Sequence, residues 1–123
     1  MQTVRIEDFR GHAGEEVIVR GWIHNKRSSG KLQFLIVRDG SGYAQAVISK
    51  KAVPPEAWDA LDAAGQESSL EITGVVRQHP KRSDEFEIGV TDFLAVPYAV
   101  GSDPRASVER TRALLVKLAA HAR

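Results

Sequence analysis

Residues that could carry catalysis are few in this sequence of 123 residues. The four histidines lie far apart, and none of their spacings is typical of a zinc site. There is no G-x-S-x-G turn, no Walker loop and no G-x-G-x-x-G fingerprint, and Gly40-Ser41-Gly42 fits a hairpin turn better than a phosphate loop. Glu85 and Glu87 lie two apart, a spacing open to acid–base chemistry but more typical of the solvent face of a strand.

Residues that could bind single-stranded nucleic acid are better represented. Such binding uses aromatic platforms beneath the bases, cations along the backbone and polar groups that read base edges. Phe34 and Gln45 fall in the middle of two predicted strands, Glu87 lies on a third, and Arg27 ends a basic segment. A hairpin turn centred near Gly40 would bring Phe34 and Gln45 close together. Alternation alone also allows Phe34 to pack in the core, and Gln45 and Arg27 to be ordinary exposed residues.

The charges are distributed unevenly, although the formal net charge is only +1. Basic residues cluster in three short segments, 24–27, 50–51 and 79–82. Lys26, Lys81 and Arg82 from these segments, together with Lys31, are candidates for contacts to a phosphate backbone. Clusters of this kind are also typical of solvated turns, and charge alone favours that interpretation.

The composition limits where the protein works. There is no cysteine, which excludes disulfides and thiolate metal sites and favours a reducing compartment. No apolar run approaches the roughly 20 residues of a membrane span, and residues 1–10 lack the apolar stretch of a signal peptide. We therefore expect a soluble cytoplasmic protein that has no membrane partner and no metal or cofactor of its own.

Three segments of period two predict consecutive antiparallel strands over Glu16–Asn25, Lys31–Asp39 and Tyr43–Ser49. Turns are predicted at Ser28-Ser29-Gly30 and at residues 39–42.

The period then changes. Residues 54–65 begin with proline and end with glycine, which predicts a short helix in which Trp58 and Leu61 share a buried face. Ser69–Gln78 and Glu85–Val96 predict two more strands, joined by a basic turn.

The order of three strands, one helix and two strands predicts an all-β fold with a linking helix, the five-stranded Greek-key barrel called the OB-fold. An SH3-like barrel is the alternative, and the position of the helix favours the OB-fold. Residues 101–104 contain stop and cap signals, after which 105–123 predict a basic C-terminal helix of unknown role. That helix could pack on the barrel, fray or begin a second domain.

The segment Arg20–Gly40, RGWIHNKRSSGKLQFLIVRDG, resembles the N-terminal anticodon-binding domain of the class IIb aminoacyl-tRNA synthetases. This family comprises the aspartyl, asparaginyl and lysyl enzymes. The likeness extends over roughly residues 1–100 and is greatest to the asparaginyl enzymes. It implies an OB-fold, a tRNA anticodon stem-loop as the partner, and dimer contacts.

The resemblance also implies a role for each residue of the binding set. Phe34 matches the phenylalanine that stacks on the central anticodon base, a uridine for all three amino acids. Gln45 matches the glutamine that hydrogen-bonds anticodon bases, and Glu87 matches a glutamate of the last strand that contacts the same region. Arg27 matches an arginine that contacts the anticodon from the turn after the first strand.

The chain departs from the family after Pro97, where a short tail stands in place of the lead into a catalytic domain that uses ATP and magnesium. We therefore expect an anticodon-binding domain over 1–100, a linker and helix over 101–123, and no catalysis by this chain alone. It would be part of an asparagine–tRNA ligase, a truncated product or a free-standing relative.

Two other functions stay open. One is a general single-strand-binding or protein-interaction module, with residues 105–123 as the docking element. The other, a hydrolase using Glu85 or Glu87, lacks a recognisable catalytic set.

Overall fold

Six strands and two helices make up residues 1–82 and 84–96, the part of the chain that the computed structural model describes. In chain order they are β1 (Gln2–Thr3), a 3₁₀ helix (Ile6–His12), β2 (Glu16–Ser29), β3 (Leu32–Arg38), β4 (Tyr43–Ser49), α1 (Pro55–Ala63), β5 (Ser69–Gln78) and β6 (Phe86–Val96). The predicted helix over 105–123 and the predicted domain division at residue 100 lie outside the described residues. No helix in the described ranges is long and apolar enough to cross a membrane.

The five longer strands close into a barrel in the order β2-β3-β4-β6-β5, completed by pairing of β2 with β5. The length of β2 makes this closure possible, because its first half, Glu16 to Trp22, pairs with β5 and its second half, Trp22 to Ser29, pairs with β3. Strands β4 and β6 run parallel, whereas the other barrel pairs are antiparallel. The predicted all-β OB-fold with a linking helix is confirmed.

Alternate side chains of the barrel strands fill its interior, as the period of two requires. Helix α1 contributes Leu61, which is fully buried, and half-buried Trp58 packs against the same core, so the predicted buried face of this helix is confirmed. The fully buried strand residues include Val17, Val19, Ile23, Leu35, Ile48, Leu70, Ile72 and Ile88.

Strand β2 extends further than the sequence predicts, and of the predicted turn Ser28-Ser29-Gly30 only Gly30 lies in the turn. The register shifts between Ile23 and Asn25, after which pairing with β3 continues as far as Ser29. The chain reverses at Gly30 and Lys31 instead, where Gly30 adopts a φ of +60°, a left-handed conformation that glycine adopts without steric cost. Arg27 is therefore a strand residue and not part of a loop.

The N-terminal 3₁₀ helix was not predicted, although it completes the core with Ile6 and Phe9. Its first residue is tied to the β3–β4 turn, because the Ile6 N–H donates to Oδ2 of Asp39 at 2.9 Å. Ser41 donates to Oδ1 of the same carboxylate through its N–H at 2.8 Å and its hydroxyl at 2.6 Å. Burial by itself would raise the pKa of Asp39, but these hydrogen bonds and one from the Gly42 N–H lower that pKa below its ordinary value of 3.8.

Candidate nucleic-acid interface

One surface of the barrel collects the predicted binding residues. It is formed by the side chains of β2, β3, β4 and β6 that alternate with the core residues Leu35, Ala46 and Ile88. We call this surface the outer face and define it by Arg27, Phe34, Ile36, Gln45, Val47 and Glu87.

Phe34 and Arg27 form a cross-strand pair on the outer face. The guanidinium carbon of Arg27 lies 4.9 Å from the centroid of the Phe34 ring, a distance typical of a cation–π contact. Phe34 is half-buried, whereas the neighbouring Leu35 is fully buried. The alternative that Phe34 packs in the core is therefore wrong, and its ring lies at the surface with a cation held against it.

Gln45 lies diagonally across from Phe34 on the outer face. The register pairs Phe34 with Val47 and Gln45 with Ile36, so the hairpin is centred between Gly40 and Ser41, half a residue further along than predicted. Phe34 and Gln45 nevertheless line the same pocket of about 240 Å³, together with Asn25, Lys26, Arg27 and Ile36.

Glu87 lies beside Gln45, because the parallel pairing of β4 and β6 sets these two residues opposite each other. Its side chain is only 2% exposed, which corrects the expectation of a solvent-facing glutamate. Arg77 compensates the buried charge by donating to Oε2 of Glu87 from Nε at 2.8 Å and from Nη2 at 2.7 Å. A Cβ at Gly89 would lie 3.1 Å from Nη1 of Arg77, so the glycine leaves room for this guanidinium. Glu85 is exposed and pairs with Arg82, as a surface residue would.

A larger pocket of about 540 Å³ continues from the first and shares Ile36 and Gln45 with it. Its aromatic residues include Tyr43, which is 63% exposed, and Phe86, whose ring lies 5.7 Å from the guanidinium carbon of Arg10. Polar side chains of both signs complete the lining: Glu7, Arg10, His79, Arg82, Asp84 and Glu85.

Sequence reasoning missed several residues of this surface that simple signals could have found. Tyr43 lies two residues before Gln45 and therefore on the same face of β4. Arg77 and Glu87 lie five residues on either side of Arg82, so a hairpin centred on that residue would pair them, as the register does. Arg10 belongs to the helix that was not predicted and carried no signal.

The four predicted phosphate ligands do not come together. Lys26 donates from Nζ to the carbonyl oxygens of Leu61 at 2.6 Å and Ala64 at 2.8 Å, at the C-terminal end of α1. The guanidinium of Arg82 lies 3.2 Å from the Glu85 carboxylate. Lys31 and Lys81 are exposed, and the first lies in the β2–β3 turn while the second lies in the β5–β6 loop.

A metal centre does not form part of the described structure. In residues 1–82 and 84–96, no three side chains of histidine, aspartate or glutamate are grouped so that they could hold an ion.

A family model described as an OB-fold nucleic acid binding domain, the tRNA anticodon family, matches residues 17–95. This range begins one residue into β2 and ends one residue before the end of β6, so it covers the whole barrel and its outer face.

Curated relatives and a solved structure agree with that match. The chain is 44% identical over 104 residues to the asparagine–tRNA ligase of Pelotomaculum thermopropionicum, covering 81% of this chain and 24% of the ligase. It is 42% identical over 102 residues to the same ligase from Sorangium cellulosum, covering 83% and 23%. The asparaginyl-tRNA synthetase of Pyrococcus horikoshii complexed with asparaginyl-adenylate superposes with a TM-score of 0.69 at 27% identity, covering 85% of this chain and 25% of that one. The chain thus spans about a quarter of the length of each.

Proposed function

Because the chain belongs to the tRNA anticodon family of OB-fold nucleic acid binding domains, we propose that its outer face binds the anticodon loop of a tRNA. The observation that carries this proposal is the grouping of an aromatic platform, a cation and two polar side chains on adjoining strands: Phe34, Arg27, Gln45 and Glu87. These are the chemical elements that single-stranded RNA recognition requires.

Phe34 serves as the stacking platform for the central base, and the base enters the pocket that its ring lines. Arg27 holds a positive charge over the ring, where it also faces the RNA backbone. A base stacked on an aromatic ring contributes about 1–3 kcal/mol to binding, whatever the base. The platform therefore supplies affinity, and selectivity needs a second group.

Gln45 and the Arg77–Glu87 pair supply that selectivity. The amide of Gln45 offers both a donor and an acceptor to a base edge, and it lies next to a carboxylate whose position is fixed by two contacts from Arg77. Buried polar groups of this kind reject a base that leaves them unpaired more strongly than an apolar pocket can. We propose a central uridine as the preferred base, in accord with the residues that Phe34 and Gln45 match in the resembling synthetases.

The identity of the relatives extends the proposal from RNA in general to one tRNA. Because the relatives named above are asparagine–tRNA ligases, we propose that this barrel reads the anticodon of the tRNA that accepts asparagine. Ligation of asparagine with ATP and magnesium would then belong to a longer protein in which such a barrel is one part. The same proposal implies a cytoplasmic homodimer, and light scattering of the purified chain tests the dimer.

Titration of the full chain against anticodon stem-loops tests the proposal. Fluorescence anisotropy at one fixed salt concentration would compare hairpins that differ only in a central uridine or cytidine, because phosphate contacts respond strongly to salt. We expect tighter binding to uridine, and a loss of about 5- to 150-fold in Phe34→Ala, the equivalent of about 1–3 kcal/mol.

Two matched variants sharpen the result. Phe34→Leu keeps an apolar side chain but lacks the π face, so it should lose nearly as much affinity as Phe34→Ala. Val47→Ala changes the outer-face neighbour of Phe34 and should bind nearly as well as the wild type. Equal binding of uridine and cytidine by the wild type would indicate a general single-strand binder, and no binding would favour a protein-interaction module.

A further inference from the structure

The basic residues of the described ranges divide into two groups according to their side-chain partners. Every arginine there contacts a carboxylate or an aromatic ring, and Lys26 is bound to helix carbonyls. The carboxylate pairs are Arg5–Glu7, Arg20–Glu71, Arg38–Glu67, Arg77–Glu87 and Arg82–Glu85, and the ring contacts are Arg10–Phe86, Arg27–Phe34 and Arg38–Trp22. By contrast, Lys31, Lys50, Lys51 and Lys81 are exposed, and their ammonium groups have no partner among the side chains that the structure describes.

Three of these four lysines lie at one corner of the barrel, which we call the lysine corner: Lys31, Lys50 and Lys51. Lys31 belongs to the β2–β3 turn, and the other two follow the last residue of β4. The Lys50 N–H donates to the Lys31 carbonyl oxygen at 2.9 Å, which continues the β3–β4 ladder past the pair Leu32–Ser49. Three positive charges are thus concentrated where no described carboxylate neutralises them, and this raises the local positive potential.

The lysine corner adjoins the outer face. Strand β3 reaches Phe34 three residues after Lys31, so at about 3.3 Å per residue their Cα atoms lie about 10 Å apart. Leu32, which is 37% exposed, lies on the side of Phe34, whereas alternation places Lys31 and its ladder partner Lys50 on the other side, so their long side chains must extend past the end of the strand to reach the outer face. Each nucleotide carries one phosphate, so the backbone on either side of a base on Phe34 would pass within reach of this corner.

We propose that Lys31, Lys50 and Lys51 form the principal phosphate contact of the interface and bind phosphates that flank the nucleotide whose base lies on Phe34. This inference rests on the proposed function. A lysine without an ion pair can bind phosphate without giving up a carboxylate, whereas Arg82 must first release Glu85. Contacts to phosphate carry no sequence information, so the lysine corner supplies affinity and its salt dependence but no preference among bases.

The salt dependence of binding tests this assignment. The anisotropy titration would be repeated over a series of potassium chloride concentrations with the full-length variants Lys31→Gln, Lys50→Gln and Lys51→Gln. Each lysine variant should reduce the slope of log K against log salt by roughly 0.7–0.9 and weaken binding to the uridine and cytidine hairpins by the same factor. Arg5→Gln removes the same charge from a residue that pairs with Glu7 next to β1, and it should change neither quantity.

The outcomes separate this inference from the proposed function. Suppose that the wild type prefers uridine and that the salt slopes of the three lysine variants equal that of the control Arg5→Gln. The lysine corner then binds no phosphate, and only this inference is overturned. If the lysine variants reduce the slope but uridine and cytidine bind equally, the corner is supported and anticodon reading is not. If no hairpin binds at any salt concentration, both are overturned.

Discussion

Two side chains of the outer face, Phe34 and Glu87, each contact an arginine on a neighbouring strand before any RNA arrives. Arg27 lies against Phe34 across the β2–β3 pair, and Arg77 reaches Glu87 across the β5–β6 pair. Ordering a long side chain costs conformational entropy, and contacts already present in the free protein reduce what is left to lose on binding. At the scale of single residues, these two contacts of the outer face are therefore preorganised.

The Arg77–Glu87 pair should matter for stability as well as for recognition. In Arg77→Met the buried carboxylate loses its cation, and we expect the free energy of unfolding to fall by about 1–3 kcal/mol. The expected loss of stability is modest because the Arg77 side chain is 51% exposed and solvent partly screens the pair. Urea denaturation at neutral pH measures the change.

The double variant Arg77→Met with Glu87→Met is the control for this prediction. It removes both charges and should recover part of the loss, because an unpaired buried charge costs more than an apolar replacement. Equal stability of the wild type and the single variant would contradict the role assigned to this pair.

Asp39 should give folding a dependence on acid pH. Because its pKa in the folded protein is lowered below 3.8, its ionised form stabilises the fold above that value, and the contribution is lost as pH falls through the folded pKa. Asp39→Asn should lower the free energy of unfolding by about 1–2 kcal/mol at pH 7, and the difference from the wild type should vanish in acid.

Thermal unfolding followed over pH 2 to 7 measures this difference. Asp59→Asn changes the charge by the same amount at an exposed position on α1 and should be nearly neutral throughout. A difference between Asp39→Asn and the wild type that persists or grows below the folded pKa would show that charge is not the cause.

At the scale of elements, β2 does the most to place the site. It pairs with β5 over its first half and with β3 over its second, so the shift after Ile23 decides that Arg27 meets Phe34. The proline and glycine that bound residues 54–65 predicted α1, and period-two alternation predicted where the barrel strands lie. It could not predict the continuation to Ser29, because the segment 24–29 is polar throughout and its strand conformation depends on pairing with β3.

The sequence suggested that Lys26 binds phosphate, whereas the structure shows it bound to the end of helix α1, and a substitution can distinguish these two roles. Its ammonium binds two carbonyl oxygens at the end of α1, where the helix dipole favours a cation. Lys26→Met should therefore lower the free energy of unfolding by about 1 kcal/mol and leave the salt slope of RNA binding unchanged. Chemical denaturation and the anisotropy series measure the two effects on one preparation.

Lys81→Met is the matched control for the stability arm, because Lys81 is exposed and its ammonium has no partner within the described ranges. A stable Lys26→Met variant with a reduced salt slope would reverse the assignment and make Lys26 a phosphate ligand.

At the scale of the whole molecule, closure of the barrel brings Glu87 to Gln45. Their strands are separated by α1 and β5 along the chain, and they pair in parallel. Hairpin rules relate only consecutive strands. Alternation therefore predicted the face on which Glu87 lies, but it could not predict that Gln45 lies beside it. Only the resemblance to the synthetases indicated that Glu87 and Gln45 belong to one site.

The central claim is that a tRNA base stacks on Phe34, and the ring of that residue reports on it directly. NMR spectra of the chain with isotope-labelled phenylalanine would be recorded with and without a central-uridine anticodon stem-loop. Phe9 and Phe93 serve as internal controls, since they are 3% and 6% exposed. Stacking predicts an upfield shift of the Phe34 ring protons while those of Phe9 and Phe93 stay in place. An unshifted Phe34 ring under saturating RNA would contradict the account.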